Sequence, residues 1–400
     1  MTFQRSENFR KDNVGRNGMR GRYLVRSNKA VVALTASDAL LRILQRRVVA
    51  IPREVSRIVV ANGAHLGDVL LTLPAIVALR QAYPDAKIAA VVGSWARPVA
   101  EWSGLFDEIY VFDHWRHIRS SKGRLNRYRS TRISTLRALR ANRYQIGIDF
   151  YPFFPPTHPL FYQAGIPIRI GFESGGFGPL LTHRVPWRNA DIPFTELLSD
   201  LLVKCRSDPK IRTVSEFRIQ RSVTVPSPLK PGNYVVLHPG AGASYKEWGT
   251  DHWHNLAVRL RARGETTVVT GAGSREREIS ESLCEVIDVN LVDGLSWDEF
   301  AGVIGGAKAV ICPDTVTGHL AAIYAIPTVA IFTGTNNVHH WAPRNSNAVT
   351  LSQPVQCAPC YQKGCYEMTC IRSVSVDSVL SALDFVLKNS KAREETKSID

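Results

Sequence analysis

Short apolar runs alternate with longer mixed stretches along most of the chain. Runs of this kind occupy residues 57–60, 87–92, 108–112 and 144–150, and each is short enough for a buried strand. A helical stretch follows the first of them and ends near Tyr83. Because strands that alternate with helical segments form βαβ units, this pattern predicts a parallel sheet covered by helices.

The pattern restarts after a proline-rich stretch at residues 225–232. Further strand-like runs lie at residues 234–238, 266–270, 308–312 and 327–332. We therefore predict an α/β protein with two Rossmann-like domains, joined by a linker near residues 220–232, whose parallel sheets face a central cleft. In such open sheets the loops after the strands hold the ligand.

This reading divides the chain into four segments. A basic tail of residues 1–56, which we expect to be partly disordered, has apolar residues at roughly helical spacing between residues 30 and 49. That stretch is either an amphipathic surface helix or a helix packed on the domain. Residues 57–225 and 226–388 form the two Rossmann-like domains, and residues 389–400 form a polar tail.

Composition narrows the class of protein. A hydrophobic fraction of 44% is enough for real cores and excludes bulk disorder. No apolar run reaches the roughly 18 residues of a membrane-spanning helix, and the first residues lack the apolar stretch of a secretory signal. We therefore expect a cytoplasmic protein.

The net charge of +15 is concentrated in two places. Residues 1–57 hold 13 lysines and arginines against four carboxylates, and residues 116–143 hold ten with no carboxylate. Localised basic patches indicate an anionic partner, which could be nucleic acid, an anionic membrane surface or a phosphorylated glycolipid. A solvated surface is the plainer explanation, and charge alone does not choose among them.

The first loop with chemical potential is Gly-Ala-His-Leu-Gly-Asp at residues 63–68. Gly67 allows close backbone approach, and the N-terminus of the following helix favours an anion. Asp68 is either a general base or an N-terminal cap of the helix, and the spacing leaves both open. The loop lacks the GxGxxG pattern of dinucleotide-binding enzymes.

Two loops in the second half are suited to a phosphate-bearing ligand. After the strand at residues 234–238 come small residues and a lysine, and a second glycine turn begins at Gly271. Backbone amides, a hydroxyl and an ammonium group there could bind phosphate. A tight turn with a surface lysine is the alternative. The donor-binding candidates in these loops are Gly240, Gly242, Ser244, Lys246 and Gly271.

The third loop, residues 313–319, leaves a buried strand and enters an alanine-rich helix. Asp314 could bind sugar hydroxyls and Thr315 could reach a phosphate, with Gly318 and His319 in the first turn of the helix. The loop at residues 332–337 follows the next strand and is expected to form a wall of the same site.

Three ordered motifs at residues 67–74, 238–248 and 314–322 resemble glycosyltransferase family 9, the ADP-heptose:lipopolysaccharide heptosyltransferases. The resemblance covers most of residues 57–385. It implies a GT-B fold with an acceptor-binding first half and a nucleotide-sugar-binding second half. By the same resemblance Asp68 matches the catalytic base, Lys246 the phosphate-binding lysine and Asp314 a ligand of the donor sugar, while Thr315 and His319 fall on the phosphate-facing and helix-start positions.

The expected activity is inverting transfer of a sugar, most simply heptose from ADP-heptose, onto a lipopolysaccharide core or a related anionic glycolipid. No cofactor is required beyond this donor substrate, since protein groups can neutralise the leaving diphosphate. We expect acceptor binding by Gly67, Asp68, Arg127, Arg129 and Arg132, peripheral contact with the inner face of the plasma membrane, and no nucleic-acid partner.

Other functions fit the same residues. A related transferase could use another nucleotide sugar to build an exopolysaccharide or an O-antigen. A nucleotide-sugar epimerase would consume the donor without an acceptor, and a catalytically silent protein would only bind it.

Four cysteines near the C-terminus form a separate motif. The first two have a spacing typical of zinc sites, whereas the later spacings are longer. Reduced buried thiols or a disulfide are the alternatives to a structural metal. These residues are Cys357, Cys360, Cys365 and Cys370.

Overall fold

The computed structural model describes residues 23–25, 27–45, 48–52, 54–118, 122–188, 191–206, 217–219, 223–358, 360, 365 and 367–397. Within these ranges the chain forms two parallel six-stranded sheets covered by helices. This confirms the predicted α/β fold with two Rossmann-like halves.

The first sheet has the strand order β3-β2-β1-β4-β5-β6. Its strands are β1 Arg57–Asn62, β2 Lys87–Val92, β3 Glu108–Val111, β4 Ile146–Asp149, β5 Ile168–Phe172 and β6 His183–Val185. Its helices are α2 Leu66–Ala82, α3 Arg97–Ser103, α4 Arg124–Asn142, α5 Thr157–Gln163 and α6 Phe194–Arg206, preceded by α1 Asn28–Leu41.

The second sheet has the order β12-β11-β10-β7-β8-β9, which repeats the topology of the first. Its strands are β7 Tyr234–Leu237, β8 Thr266–Val269, β9 Val289–Asn290, β10 Ala309–Pro313, β11 Thr328–Phe332 and β12 Ala348–Ser352. Its helices are α7 Thr250–Ala262, α8 Ser274–Ser282, α9 Trp297–Gly305, α10 Val316–Ile323, α11 Val338–Trp341, α12 Thr369–Arg372 and α13 Val376–Lys397.

Strand β1 illustrates why the central strands are continuously apolar. Ile58 and Val60 pack into one core cluster, whereas Val59 and Ala61 pack into another on the opposite face of the sheet. Because helices cover both faces, neither set of alternating side chains can be polar. The register pairs Ile58 with Ile88 on one side and Ile146 on the other.

Helix α2 is buried between the two halves. Ala75, Ile76 and Leu79 belong to the core of the first half. Val69 and Leu73 belong instead to a cluster that includes α10 and the second sheet. The two halves therefore share an apolar interface, with α2 packed against α10.

In both sheets the chain reverses its direction of growth between two neighbouring strands. These are β1 and β4 in the first sheet, and β7 and β10 in the second. The crevice beyond the carboxyl ends of such strands is where open α/β sheets bind ligands. Both crevices are used in the site described below.

The structure differs from the sequence-based expectation at several elements. Strands β5, β6, β9 and β12 and the helix α4 within the basic segment were not predicted, and α13 continues to Lys397 through most of the segment expected to be a polar tail. The expected disorder of residues 1–22 lies outside the described residues. No helix in the described ranges combines the length and apolar character needed to cross a bilayer.

Candidate active site

The loop after β1 is shaped by Asn62. Its side-chain oxygen accepts a hydrogen bond from the backbone N–H of Ala64 at 3.1 Å, and its amide donates to the carbonyl oxygen of Asp68 at 3.1 Å. These two bonds span the turn and fix the start of α2. The Asp68 side chain consequently has a defined position at the mouth of the cleft.

Asp68 occupies the third position of α2, where its Oδ2 accepts a hydrogen bond from the backbone N–H of His65 at 3.0 Å. Capping is therefore one of its roles. Burial raises the pKa of Asp68, while His65 and Lys246 lower it and Asp314 raises it. Lys246 and Asp314 come from the second half, so these charges from both halves lie within electrostatic reach of one another.

Lys246 and Asp314 form an ion pair across two loops of the second half. The Lys246 Nζ lies 2.6 Å from Asp314 Oδ2, and both side chains are largely buried. Lys246 ends a 3₁₀ turn at Ser244–Lys246 after β7, and Asp314 follows β10 directly. The topology thus brings together two residues that are 68 positions apart.

Asn336 is a part of this site that sequence reasoning missed. Its side-chain amide donates to the same Asp314 oxygen that Lys246 contacts. The loop at residues 332–337 was expected to form a wall, and its position after β11 was the available signal. Nothing in the pattern distinguished Asn336 from its neighbours.

The two halves meet at Gly67. A Cβ placed there would lie 3.3 Å from His319 Cδ2 and 3.7 Å from the backbone Cα of Val316, both in the first turns of α10. Burial lowers the pKa of His319 to about 4, so this imidazole is neutral at pH 7. Gly67 and His319 therefore have an interface role, which permits close approach of the helices that start at the site.

Two predicted donor-binding glycines accommodate a neighbouring side chain. A Cβ at Gly240 would lie 2.4 Å from Glu276 Cγ, and a Cβ at Gly271 would lie 2.8 Å from Glu276 Cβ. Glu276 is in the first turn of α8. The glycines thus let this carboxylate lie between the β7 and β8 loops, a placement that the sequence did not reveal.

The other donor-binding candidates have different local roles. Thr315 caps α10 by accepting a hydrogen bond from the N–H of Thr317 at 3.1 Å. Gly318 packs in the interior, since a Cβ there would lie 2.9 Å from Pro343 Cγ. Gly242 and Ser244 are exposed in the β7 loop. Thr315 therefore lies beside Asp314, whereas Gly318 serves the packing of α10.

On the other side of Asp68 lies a group of residues that the sequence did not single out as a site. The Asp68 charge raises the pKa of Tyr151, whose main shift comes from burial, and Arg116 lowers it. The His117 ring lies 5.5 Å from that of Tyr151 and 6.2 Å from that of His65. Tyr151 follows β4, the partner of β1 at the crevice. This aromatic and basic surface belongs to the first half and lies beside Asp68.

The three arginines predicted to bind acceptor all lie on α4. Arg127 is already engaged, since its Nε lies 2.5 Å from Asp113 Oδ2 and a terminal nitrogen contacts Ser94. Arg132 contacts Gln163, and Arg129 is exposed. Arg127 therefore has a structural partner that the sequence did not indicate.

Among the C-terminal cysteines, Cys357, Cys365 and Cys370 are free thiols. Burial and the nearby Cys360, Cys370 and Cys365 raise the pKa of Cys357. Among the residues that the structure describes, no group of three or more metal-ligating side chains is arranged to hold an ion. Residues 361–364 and 366 lie outside that description, so metal binding at these cysteines stays a hypothesis.

The chain is similar to known glycosyltransferases. The sequence model of the family described as "Glycosyltransferase family 9 (heptosyltransferase)" matches residues 132–371. Lipopolysaccharide heptosyltransferase 1 of Pseudomonas aeruginosa is 24% identical over 324 residues, which cover 77% of this chain and 87% of that protein. The Escherichia coli K12 protein of the same name is 23% identical over 296 residues, covering 69% and 87%.

Solved structures share the fold. A family 9 glycosyltransferase from Veillonella parvula matches with a TM-score of 0.70 and 20% identity, over 85% of this chain and 100% of that one. The Escherichia coli heptosyltransferase WaaC with ADP matches with a TM-score of 0.66 and 19% identity, over 82% and 99%. Two facing Rossmann-like halves and a family match over more than half of the sequence lead to one conclusion: the chain belongs to glycosyltransferase family 9 and is a glycosyltransferase of the GT-B fold.

Proposed function

We propose that this protein transfers heptose from ADP-heptose, with inversion, onto the core of lipopolysaccharide. The observation that supports this most directly is the placement of Asp68 within electrostatic reach of the Lys246–Asp314 pair. A base on one side of a cleft and a cation on the other is what inverting transfer requires. The names of the relatives, which are lipopolysaccharide heptosyltransferases, support the choice of sugar and acceptor.

Donor binding is assigned to the second half. The Lys246 ammonium would bind the diphosphate as a point charge, and the amides at the start of α10 add a partial positive charge beside it. Asp314 would then accept hydrogen bonds from sugar hydroxyls, with Asn336 keeping its carboxylate in place. One solved relative is described with ADP, which supports an adenine nucleotide.

Glu276 adds a hydroxyl-binding group to the donor side. Its carboxylate lies against the β7 and β8 loops because Gly240 and Gly271 leave room for it. A carboxylate accepts hydrogen bonds well and repels phosphate, so Glu276 fits the ribose of the nucleotide rather than its diphosphate.

Asp68 is assigned as the general base. Burial raises its pKa, which makes the carboxylate a stronger base than an exposed aspartate. It would take the proton of the acceptor hydroxyl as the oxygen attacks the anomeric carbon on the face opposite the diphosphate. The bond from carbon to the diphosphate oxygen breaks as the new glycosidic bond forms, which inverts the configuration.

Charge that develops on the leaving diphosphate would be stabilised by Lys246 and by the amides near Thr315. In the free protein the Lys246 ammonium is held by Asp314. The diphosphate must therefore compete with that carboxylate for the ammonium. Release of the lysine from the ion pair is an expected part of donor binding.

Nucleotide binding and sugar transfer test the proposal separately. Thermal stabilisation by ADP, UDP and GDP should be compared first, and selective stabilisation by ADP is the expected result. Transfer should then be measured from ADP-heptose to a heptose-deficient lipopolysaccharide core, with anomeric configuration of the product read by NMR. A β-linked product from a β-linked donor would show retention and contradict the mechanism.

Other results point to specific alternatives. Selective stabilisation by UDP or GDP would keep the transferase and reject ADP-heptose. Donor turnover in the absence of any acceptor would indicate an epimerase or a hydrolase. The wild type could instead be stabilised by ADP but transfer no sugar, while Lys246→Met is not stabilised by ADP. That result would indicate a protein that binds the nucleotide without catalysing the reaction.

A further inference from the structure

Helix α1 turns its acid inward and two of its large apolar side chains, Val32 and Leu40, outward. Asp38 is 2% exposed, whereas Val32 is 67% exposed and Leu40 is 71% exposed. A helix that packs on a water-soluble domain shows the opposite arrangement. The orientation of α1 is therefore the feature that needs a physical explanation.

Specific contacts fix this orientation. The carboxylate of Asp38 accepts a hydrogen bond from the Tyr23 hydroxyl at 2.9 Å and another from the backbone N–H of Phe177 at 2.8 Å. Leu34 fills the space above Gly176, where a Cβ would lie 2.7 Å from Leu34 Cδ2. Rotating the helix to bury Val32 or Leu40 would break these contacts and expose a satisfied buried carboxylate.

The outward surface continues past the end of α1. The next exposed apolar side chains lie in the turn at Arg42–Leu44 and in the segment that follows. We call this surface the apolar ridge; its members are Val32, Leu40, Ile43, Leu44, Val48 and Val49. Between Lys29 and Arg42 the sequence has no charged residue other than the buried Asp38, so the outer face of the helix carries no charge.

Elsewhere in the described part of the first half, the exposed large apolar side chains are Trp115, Leu125 and Ile133, and the last two lie on the arginine-rich helix α4. In the described part of the second half, the large apolar side chains with comparable exposure are Val258 and Phe385. They lie on different helices, α7 and α13, and charged residues of α7 and α13 surround them in sequence. An apolar surface of six residues on one short segment marks a contact site.

The charged residues around the apolar ridge indicate what kind of surface it binds. Lys29 and Arg42 are exposed at the two ends of the uncharged face. The first 57 residues of the sequence contain 13 lysines and arginines against four carboxylates. An apolar surface with a cationic border is the arrangement that binds the interface of an anionic bilayer. We propose that the apolar ridge inserts into the surface of a membrane rich in anionic lipid.

The ridge lies beside the acceptor side of the cleft. Phe177, which holds Asp38, contacts Phe154 with ring centroids 5.5 Å apart. The guanidinium of Arg116 lies 4.4 Å from the centre of the Phe154 ring, and Arg116 in turn influences Tyr151 next to Asp68. Insertion of the ridge would therefore hold the acceptor side of the cleft near the lipid headgroups. This consequence for the reaction rests on the proposed acceptor, whereas binding to lipid does not.

Vesicle binding by the full-length protein tests the inference without donor or acceptor. The probes are vesicles of phosphatidylcholine alone and vesicles with an added third of phosphatidylglycerol, examined by flotation at low and high salt. The test variant is Val32→Glu/Leu40→Glu. The matched control, Val258→Glu/Phe385→Glu, makes the same kind of change on the second half.

Wild type and control are expected to float with the anionic vesicles and to lose most of this binding in high salt. The ridge variant should bind at least about tenfold more weakly, since burial of an apolar side chain in the bilayer is favourable whereas burial of a carboxylate is costly. Transfer to a lipid-free acceptor should be unchanged in the ridge variant, which separates this inference from the proposed function.

Three results would overturn the inference. The ridge variant could bind the anionic vesicles as well as the wild type does. The wild type could fail to bind them, or bind phosphatidylcholine equally well at high salt. Finally, the wild type could be a dimer that Leu40→Glu dissociates, which would assign the ridge to self-association. Circular dichroism of each variant checks that a loss of binding is not a loss of folding.

Discussion

The two halves share a topology but build their sides of the cleft in different ways. The second half places an ion pair, Lys246 with Asp314, at its crevice. The first half ends β4 with a buried carboxyl, Asp149, whose Oδ1 accepts a hydrogen bond from the backbone N–H of Tyr151. The second half therefore presents an ion pair at its crevice, whereas the first half presents aromatic rings together with Arg116 and Asp68.

The same contrast extends to the exterior. The first half exposes the apolar ridge and the basic helix α4, whereas the exposed apolar side chains described in the second half are scattered. The two halves thus share one topology, whereas the exposed side chains on their surfaces differ. The differences lie in the loops and added segments rather than in the sheets.

The largest effect is expected from Asp68→Asn. Loss of the base should lower kcat by about 10²–10⁴-fold, while ADP binding by the second half stays close to that of the wild type. Transfer kinetics and calorimetric ADP titration measure the two properties. An equal loss of kcat and of ADP affinity would contradict the assignment of the base to the first half and of donor binding to the second.

Lys246→Met tests donor binding by the second half. Removing the ammonium should weaken ADP binding by roughly 10–100-fold, the effect of a charge-assisted contact worth about 1.5–3 kcal/mol. Binding to anionic vesicles should not change. The matched control is Lys308→Met, which removes a lysine paired with Glu265 in the same half but away from the cleft.

Asp149→Asn tests the buried carboxyl of the first half. Burial raises the pKa of Asp149 to about 7 from an ordinary value of 3.8. At this group the folded state therefore binds more protons than the unfolded state between these values, and the contribution of Asp149 to stability falls as pH rises from about 4 to 7. The amide removes the charge and can still accept from the N–H of Tyr151.

At pH 8 we expect Asp149→Asn to melt roughly 3 °C or more above the wild type, and the difference in Tm between variant and wild type should grow between pH 5 and 7. The nearby His158 is neutral in this range, because burial lowers its pKa to about 3. Thr157→Val, which removes a hydrogen bond to Asp149 but no charge, should keep the pH dependence. A variant with an unchanged slope would show that Asp149 is ionised in the folded protein.

The smallest expected effect is a shift in the pH profile of kcat/KM, and it tests the electrostatic coupling between the two halves most directly. Asp68 must be deprotonated to act as a base, so kcat/KM should fall as pH drops through its raised pKa. Because Asp314 raises that pKa and Lys246 lowers it, Asp314→Asn should move the acidic limb to lower pH and Lys246→Met should move it to higher pH. The residual activity of each variant is sufficient to locate the acidic limb. If both variants shifted this limb in the same direction, the result would contradict the electrostatic coupling of Asp68 to Lys246 and Asp314.

The central strands were predictable because they are buried on both faces. Runs such as 58–60 and 234–237 can be apolar throughout only if neither face meets water, and this pattern marked β1 and β7. The edge strands β6 and β9 span only three and two residues, and the pattern did not identify them. Their pairing depends on the neighbouring strand more than on their own sequence.

The site was predictable to the extent that its residues follow strands. Asp68, Lys246 and Asp314 each lie just beyond an apolar run, in loops rich in small residues. Asn336, Glu276 and Tyr151 lie in ordinary segments, and only the fold brings them to the cleft. Gly318 and Arg127 also have neighbours, Pro343 and Asp113, that the sequence did not indicate, and their binding roles stay predictions.

The sequence by itself determined the repeated α/β pattern, the positions of the three loops and the uneven distribution of charge. These properties are local, since they depend on the spacing of apolar residues and on the residues that follow each strand. The tertiary structure decided which charges meet, as in the Lys246–Asp314 pair, and which way α1 faces. Both depend on contacts between residues distant in sequence, and periodicity along a chain carries no information about such contacts.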